Sequence, residues 1–342
     1  MSFAKLHVSR RKVFSLPISD SFKKVVELYR FYDAAYVILV FLVDWFYFEK
    51  VHPYERQFMI NDVTISHPFA TEERVPGDVL LHLSTFLPIV ILTTVSLVIT
   101  PVGYKLYIAY ISNLSYFVAM VTNVMVTDVL KNWIGRCRPD FLSRCKPIES
   151  AKPNVLYFAK EICSTYNPEG KEWGKLMDGF RTTPSGHSSM SFCMALFISL
   201  WLLGQFCAVQ SFGNVYGSGH SNGIVNIQKR RSYSFGRILV CCSPLFGSAY
   251  VALSRTQDYR HHFVDVVLGS ILGSFIAWSV YRKFWPSVTE AVSFIPATIL
   301  EEDVLEAEED EEWYSLAGKG KTDYALTGSL EEGLGGETYV RD

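Results

Sequence analysis

The sequence predicts an all-α integral membrane protein built as a bundle of six transmembrane helices. Hydrophobic residues make up 49% of the 342 residues, aromatic residues 15%, and charged residues only 19%. This composition is unusual for a soluble enzyme and is typical of a polytopic membrane protein. Six apolar segments approach the length of about 20 residues that a bilayer crossing needs. Any one of them alone would also fit a buried helix of a soluble core, but six in one aromatic-rich chain favour the membrane.

The six predicted spans differ in strength. Asp44 interrupts the first, and the fifth is short and contains Pro244. We interpret Asp44 as an interfacial or interhelical hydrogen-bonding group, because it lies near the end of its segment. The predicted spans are Phe31–Phe48, Val79–Thr100, Leu106–Thr127, Ser189–Val209, Ile238–Leu253 and Phe263–Tyr281.

Charge divides the chain into three predicted regions. Residues 1–30 are basic and lack the apolar core of a signal peptide, so we expect no cleavage. Residues 31–285 contain the spans and form the predicted membrane domain. Residues 286–342 are predicted to be an acidic, disordered tail, and residues 213–223 a flexible Gly/Ser-rich loop. The net charge of −2 gives no indication of nucleic-acid binding, and the seven cysteines form no CxxC pair that would indicate zinc.

The distribution of Lys and Arg predicts the orientation of the bundle. Cytosolic flanks of membrane helices are enriched in these residues. Because the number of spans is even, three basic regions lie on the same side of the membrane: the N-terminal segment, the connection between the fourth and fifth spans, and the end of the sixth span. We assign that side, with both termini, to the cytosol. The connecting cations are Lys229, Arg230, Arg231 and Arg237, and Arg282 and Lys283 follow the sixth span. The end of the third span, the start of the fourth, and the junction of the fifth and sixth then meet at the non-cytosolic face.

Three fragments at that face have residues suited to phosphate chemistry. In the last of them, Ser254 to Asp265, His261 and Asp265 are four residues apart and on a helix would share a face. Asp265 would then accept the Nδ1 proton of His261 and leave Nε2 free to attack. His262 would point about 100° away, so we assign it to packing or the membrane interface. The alternative is a helix-capping acid beside a surface histidine.

The middle fragment, Pro184 to His187, directly precedes an apolar helix. Ser185 is a natural N-cap, and the free N–H groups and dipole of a helix start bind anions without a metal. Gly186 allows the backbone to approach an oxygen closely. His187 would stand beside a bound phosphate, placed to protonate a leaving oxygen. The alternative is a plain helix cap with an incidental histidine.

The first fragment supplies cations. Lys131 and Arg138 are seven residues apart, on one helix face or brought together by the turn at Gly135, and Arg255 adds a third cation. Guanidinium groups bind phosphate oxygens in a fork, and a transferring phosphoryl group needs such preorganised charge. The alternative is the usual set of membrane-edge cations. That interpretation also covers Arg136, Arg144 and Arg181, although Arg181 is close enough to the middle fragment to support the site.

The three fragments together resemble the type 2 phosphatidic acid phosphatase superfamily, also called lipid phosphate phosphatases. Its pattern K-x6-R-P, P-S-G-H and S-R-x5-H-x3-D is present without departure between residues 131 and 265. Strings between about residues 54 and 285 are similar to fungal diacylglycerol pyrophosphate phosphatases, including Ile65-Ser-His-Pro-Phe-Ala, Asp178-Gly-Phe-Arg-Thr-Thr and Thr256-Gln-Asp-Tyr-Arg-His-His.

The resemblance implies a six-helix core like that of acid phosphatases and vanadium haloperoxidases, with the site at the non-cytosolic end. It implies His261 as the nucleophile that becomes a phosphohistidine, Asp265 as its orienting group, and His187 as the acid that later activates water. It also implies phosphate binding by Lys131, Arg138, Ser185, Gly186 and Arg255. No cofactor or metal is expected, since the sequence has no D-x-D-x-T motif and no acidic cluster near the fragments. The fungal likeness suggests a vacuolar membrane.

Several alternatives stay open at this point. The same site could act on isoprenoid pyrophosphates or sphingoid phosphates instead of diacylglycerol pyrophosphate and phosphatidate. A soluble haloperoxidase is disfavoured by the six spans, and an inactive lipid-binding or lipid-transfer protein by the intact His187, His261 and Asp265. Cys145 and Cys163 lie in the predicted non-cytosolic loop, where a disulfide and two free thiols are both possible outcomes.

Overall fold

The protein is described here by a computed structural model that covers residues 25–48, 50–100, 104–209, 235–290 and 293–299. Within these ranges the chain is all-α, with no extended strand, as the sequence predicts. The basic segment before residue 25, the loop predicted at 213–223 and the acidic run from residue 301 lie outside the described residues.

The helices fall into long apolar helices and short helices between them. Helix α1 (Phe31–Val43) runs into a π-helical turn (Asp44–Phe48), so Asp44 lies at its end. The other long helices are α2 (Gly77–Ile99), α3 (Lys105–Ile134), α7 (Gly186–Gln205) and α10 (Phe263–Phe284), with α8 (Phe235–Cys242) and α9 (Pro244–Gln257) forming a consecutive pair. The short helices are α4 (Phe141–Cys145), α5 (Ala159–Ile162), α6 (Trp173–Asp178) and a 3₁₀ turn (Val63–Ile65).

Five of these elements are long and apolar enough to cross a membrane, and α8 with α9 makes a sixth if the pair is one span. The pair is bent by 40°. The bend falls at Pro244, which is the first residue of α9 and has no N–H to continue the ladder of α8. The chain is a multi-pass membrane protein.

Helix α7 is the centre of the bundle and packs against α2, α3, α8, α9 and α10. Its closest neighbour is α10, where two glycines meet the α7 backbone. A Cβ on Gly269 would lie 2.5 Å from the Ser185 carbonyl oxygen, and one on Gly273 would overlap the Ser189 carbonyl oxygen. Small residues let membrane helices approach closely, so this contact sets the distance between the two helices that carry His187 and Asp265.

The interior of the bundle is aromatic, and two of its buried indole rings are hydrogen-bonded to serines. Trp201 and Trp285 are almost completely buried and donate their indole N–H groups to Ser112 and Ser115 of α3. Large apolar side chains also cover the outward faces, such as Leu39, Phe86 and Phe275. Apolar surface of this kind is what a helix bundle presents to lipid.

Loops between the long helices form a layer at one end of the bundle. Phe58, Phe141 and Phe180 pack together at its centre. A disulfide joins Cys145 at the end of α4 to Cys163 after α5, which settles the alternative that the sequence left open. This layer includes the chain before α2 and the chain between α3 and α7, and it contributes to the site.

The chain beyond α10 returns to the bundle. Ser293 is fully buried and donates to the Gly204 carbonyl, and Gln205 donates to the Phe294 carbonyl. These contacts lie past residue 285, where the sequence places the end of the membrane domain.

Candidate active site

Four helix ends meet at the looped end of the bundle. Helix α3 ends at Gly135, which has φ +59° and no room for a side chain because a Cβ would overlap the Tyr54 carbonyl oxygen. Helix α7 starts after Ser185, whose backbone N–H donates to the Asp265 carbonyl at 3.0 Å. Helix α9 ends at Gln257, and its Arg255 carbonyl accepts from the His261 N–H at 3.4 Å. The middle and last fragments are therefore in direct contact, and the first joins them through Arg136, which lies 3.3 Å from Asp265.

His261 is buried, with 4% of its surface exposed. Its Nδ1 lies 2.7 Å from the Thr182 carbonyl oxygen and 3.3 Å from the Thr182 hydroxyl. A carbonyl oxygen only accepts, so Nδ1 carries the proton and Nε2 carries the lone pair in the neutral ring. None of the described residues makes a hydrogen bond to Nε2. Burial, and then the positive charge of Arg138, lowers the pKa of His261 well below its ordinary value.

The predicted hydrogen bond between Asp265 and His261 is wrong. Helix α10 begins at Phe263, and His262 is its N-cap in an extended conformation, so His261 lies outside the helix and four-residue spacing does not bring it to the face of Asp265. The contact instead runs through Thr182, whose hydroxyl donates to Asp265 Oδ2 at 2.7 Å while its carbonyl holds His261.

His262 and Arg136, assigned from the sequence to the periphery, both contact Asp265. The His262 N–H and Nδ1 lie 2.9 and 3.1 Å from Oδ2, which is the bonding expected when an acid three residues into a helix caps its start. Arg136 lies 3.3 Å from Oδ1. Thr183 donates to the same oxygen at 2.5 Å, so the fully buried carboxylate is surrounded by donors.

The start of α7 brings together the residues of the middle fragment. Ser185 is the N-cap, and its hydroxyl accepts from the Ser188 N–H, as predicted. A Cβ on Gly186 would lie 2.7 Å from Lys131 Nζ, so the glycine lets the ammonium reach the start of the helix. His187 Nε2 faces the Val75 carbonyl at 3.2 Å and Arg255 at 3.3 Å.

Each of the three predicted cations has an acidic neighbour. Lys131 lies 3.2 Å from Asp128, one turn earlier on α3. Arg138 bonds both the carbonyl and the carboxylate of Asp178. The Arg138 and Arg144 guanidinium groups outweigh the effect of burial and lower the pKa of Asp178 to about 2.

Arg255 is buried and held on several sides. Its guanidinium lies 2.8 Å from Glu73 and 2.9 Å from Asp258. Arg144, assigned from the sequence to the membrane edge, is instead buried between Asp140 and Asp178. Arg181 donates to the Val51 carbonyl.

Sequence reasoning missed Thr182, Thr183, Glu73, Asp178 and Asp258. Thr182 and Thr183 directly precede Pro184, and Asp178 begins one of the strings that carry the resemblance. Their position next to the middle fragment could therefore have identified these three as candidate site residues. Glu73 lies between the first two spans with no periodicity to single it out. Among the described residues, no group of three or more His, Cys, Asp or Glu side chains is arranged to hold a metal ion.

The chain is similar to several known proteins. The chain is 38% identical to diacylglycerol pyrophosphate phosphatase 1 of Saccharomyces cerevisiae over 299 residues, 85% of this chain and 94% of the relative. It is 34% identical to probable diacylglycerol pyrophosphate phosphatase 1 of Schizosaccharomyces pombe, over 77% of this chain and 85% of the relative. Lipid phosphate phosphatase 1 of Arabidopsis thaliana is 31% identical over 50% of this chain and 43% of its own.

No solved structure matches the chain significantly. The model of the PAP2 superfamily matches residues 112–288, which include all three fragments of the site. The chain belongs to the PAP2 superfamily.

Proposed function

We propose that this protein is a membrane lipid phosphatase that hydrolyses diacylglycerol pyrophosphate to phosphatidate and phosphatidate to diacylglycerol. The observation that carries the proposal is the meeting of His261, His187 and Arg255 with Lys131 and Arg138 at four helix ends. The names of the relatives support the substrate class, since two are named as diacylglycerol pyrophosphate phosphatases and a third as a lipid phosphate phosphatase.

His261 is the proposed nucleophile. Its proton sits on Nδ1, against the Thr182 carbonyl, so the Nε2 lone pair is available for attack. Its lowered pKa keeps the ring neutral at pH 7, as a nucleophile requires. Attack on phosphorus forms an N–P bond and breaks the P–O bond to the leaving group, which is phosphatidate from the diphosphate and diacylglycerol from phosphatidate.

His187 is the proposed acid and base. In the first step His187 acts as the imidazolium: its Nε2 proton passes to the oxygen of the leaving group as the P–O bond breaks, which leaves a neutral ring. In the second step the same nitrogen takes a proton from water, which attacks phosphorus and releases inorganic phosphate and neutral His261. The Val75 carbonyl oxygen lies 3.2 Å from Nε2 and supports this role, because it accepts a hydrogen bond from the imidazolium form of the ring; in the neutral ring the same nitrogen accepts from Arg255 instead.

Lys131, Arg138 and Arg255 are proposed to bind the transferring phosphoryl group, together with Ser185 and Gly186 at the start of α7. The negative charge of that group must be met by fixed cations and N–H groups during transfer. Three cations and a helix N-terminus supply this charge from the protein itself. We propose on this basis that the reaction needs no added metal.

The proposal includes the orientation that the charge bias predicts. The site faces the non-cytosolic side, and by fungal likeness the membrane is vacuolar. The substrate chains reach the site from the bilayer, with the apolar outward faces of α2 and α10 in lipid.

The first test is phosphate release from a lipid panel by purified protein in detergent micelles containing EDTA. We expect His261→Ala and His187→Ala to lose activity by about 10³-fold or more, since each removes a group that makes or breaks a bond. His52→Ala is the matched control, because His52 is exposed and its ring packs edge-on against Trp173, in no hydrogen bond or ion pair with the described residues of the site. The panel contains diacylglycerol pyrophosphate, phosphatidate, an isoprenoid pyrophosphate and a sphingoid phosphate.

Three results would contradict the proposal. Activity of the unaltered protein that vanishes with EDTA would exclude the metal-free reaction. Full activity of His261→Ala would exclude the phosphohistidine. A clear preference for the isoprenoid or sphingoid substrate would move the same chemistry to another lipid.

A further inference from the structure

A fourth segment of the chain lies on the site, outside the three fragments. The consecutive residues Glu73, Arg74 and Val75 precede α2. Glu73 bonds Arg255 at 2.8 Å, and the Val75 carbonyl lies 3.2 Å from His187 Nε2. Arg74 bonds Asp258 through both its backbone N–H and its guanidinium, at 3.0 and 3.2 Å.

These contacts occupy most of the hydrogen-bonding capacity of Arg255. A guanidinium has five N–H groups. Nε donates to the Ser254 hydroxyl, one terminal nitrogen faces Glu73 and His187, and the other donates to Asp258. At most one N–H is left, so a phosphate that binds Arg255 through two oxygens must displace one of these partners.

Glu73 is the partner that a phosphate can displace at least cost. Asp258 is 5% exposed and is bonded by Arg74 as well, while the Glu73 side chain is 25% exposed and reaches the site from a loop. A phosphate oxygen would also replace the carboxylate with another anion, so the charge next to Arg255 stays balanced.

The second oxygen of Glu73 connects Arg255 to a chain of ion pairs. It bonds Arg260 at 2.8 Å, and Arg260 lies 3.6 Å from Asp140. Asp140 then bonds Arg144 at 2.9 Å, and both Arg144 and Arg138 bond Asp178. The two arginines proposed to bind phosphate are thus the ends of one alternating series, Arg255–Glu73–Arg260–Asp140–Arg144–Asp178–Arg138.

We infer that Glu73 is a positioning residue for Arg255 and the internal anion with which the substrate phosphate exchanges. In the resting site its carboxylate holds Arg255 in place and neutralises it, which lowers the affinity for any other anion. When phosphate binds, Glu73 keeps its ion pair with Arg260 and gives up its ion pair with Arg255, which the phosphate replaces. This inference rests on the proposed function for the identity of the phosphate, which is that of the lipid substrate. It concerns Glu73, which lies outside the three fragments that carry that proposal.

Glu73→Gln separates the two effects of this carboxylate. Removing its charge leaves the site one unit more positive, so inorganic phosphate and orthovanadate should bind more tightly, on the order of tenfold. The same change releases Arg255 from its ion-pair chain, so turnover of phosphatidate should fall, also on the order of tenfold. A residue with only a structural role would weaken both properties or neither.

Glu72→Gln is the matched control. Glu72 is the neighbouring acid on the same loop, is exposed, and makes no ion pair within the described part of the chain. It should leave phosphate affinity and turnover unchanged. If Glu73→Gln does not give folded protein, Glu73→Asp tests the inference instead. The aspartate keeps the negative charge, but its shorter side chain does not reach Arg255. This variant should bind phosphate within about twofold of the unaltered protein and still turn over more slowly.

Phosphate affinity is measured by titration calorimetry on detergent-solubilised protein, and turnover in a separate assay. Phosphate binding that is equal or weaker in Glu73→Gln than in Glu72→Gln would overturn the inference, as would full turnover by Glu73→Asp. If the unaltered protein releases phosphate from none of the lipids, the proposed function fails, yet the calorimetry still tests whether Glu73 opposes anion binding.

Discussion

Thr182 illustrates how a single residue links the parts of this site. Its carbonyl oxygen accepts a hydrogen bond from Nδ1 of His261, and its hydroxyl donates a hydrogen bond to Asp265. Asp265 can therefore orient the proposed nucleophile, His261, without touching it. The side chain of Thr182 matters because it fixes the peptide whose oxygen selects the His261 tautomer.

Thr182→Val should lower turnover of phosphatidate by about 10- to 100-fold, the range that follows from losing a buried hydrogen bond to a charged group. The KM should change little, because Thr182 makes no hydrogen bond to Lys131, Arg138 or Arg255, the cations proposed to bind phosphate. Steady-state kinetics on detergent-solubilised protein measure both constants.

Thr182→Ser provides the control, since it keeps the hydroxyl and should keep most of the turnover. An unchanged turnover in Thr182→Val would show that Asp265 acts on His261 by some other route. A loss that Thr182→Ser shares in full would point to packing of the threonine methyl group instead.

Residue identity was predictable at this site, but hydrogen-bond partners were not. The sequence singled out His261, His187 and Asp265 by type and spacing, and the structure brings them together. The pairing of His261 with Asp265 failed because a spacing of four has meaning only inside a helix, and α10 begins two residues after His261. Arg136 was assigned to the membrane edge because sequence alone does not tell which arginines turn inward.

At the scale of elements, the contact between α7 and α10 decides whether the histidines meet. Gly269 and Gly273 are one turn apart on α10, and each faces a carbonyl oxygen of the α7 segment. Backbone atoms cannot rotate away as a side chain can. Any side chain at these positions must therefore separate the two helices.

Gly273→Ala should destabilise the protein by about 1–3 kcal/mol, the usual cost of overpacking, and should also lower activity. The matched control is Gly247→Ala on α9, where an added Cβ meets nothing within 4 Å. That change should be neutral or stabilising, because alanine is favoured over glycine in a helix by about 1 kcal/mol. Thermal unfolding of the detergent-solubilised variants gives the comparison, and equal midpoints for the two would refute the close contact.

The existence of the long helices was predictable, while some of their ends were not. Continuous apolar residues located each span, because lipid-facing and core-facing positions are both hydrophobic. Helix α3 nevertheless continues from the predicted end at Thr127 to Ile134. Its last two turns contain Asp128, Lys131 and Asn132, which face protein rather than lipid. The apolar pattern therefore ends before the helix ends, and a boundary placed by hydropathy is too early.

At the scale of the whole molecule, the layer of loops was the part that sequence reasoning could not assemble. Its ion pairs join residues as distant as Glu73 and Arg255, and no periodicity relates them. The helical bundle follows from local apolar pattern, whereas the loop layer follows from long-range pairing of charge. The convergence of the three fragments was predictable because it requires only the alternating direction of successive spans.

That alternation, combined with the distribution of Lys and Arg, also predicts which side of the membrane the site faces. Glu169 and Lys171 are exposed in the loop layer, and Glu169→Asn with Lys171→Thr creates the acceptor sequence N-G-T there. If this layer is non-cytosolic, the doubly substituted protein should gain an endoglycosidase-sensitive glycan when expressed in a eukaryotic cell, since N-glycans are added on the lumenal side of the membrane. Ala325→Asn creates the acceptor sequence N-L-T in the C-terminal region, which the charge bias assigns to the cytosol, and this variant should stay unmodified. A glycan on the Ala325→Asn variant, with none on the Glu169→Asn, Lys171→Thr variant, would invert the bundle and place the two histidines on the cytosolic face, where the phosphate they release would enter a different compartment.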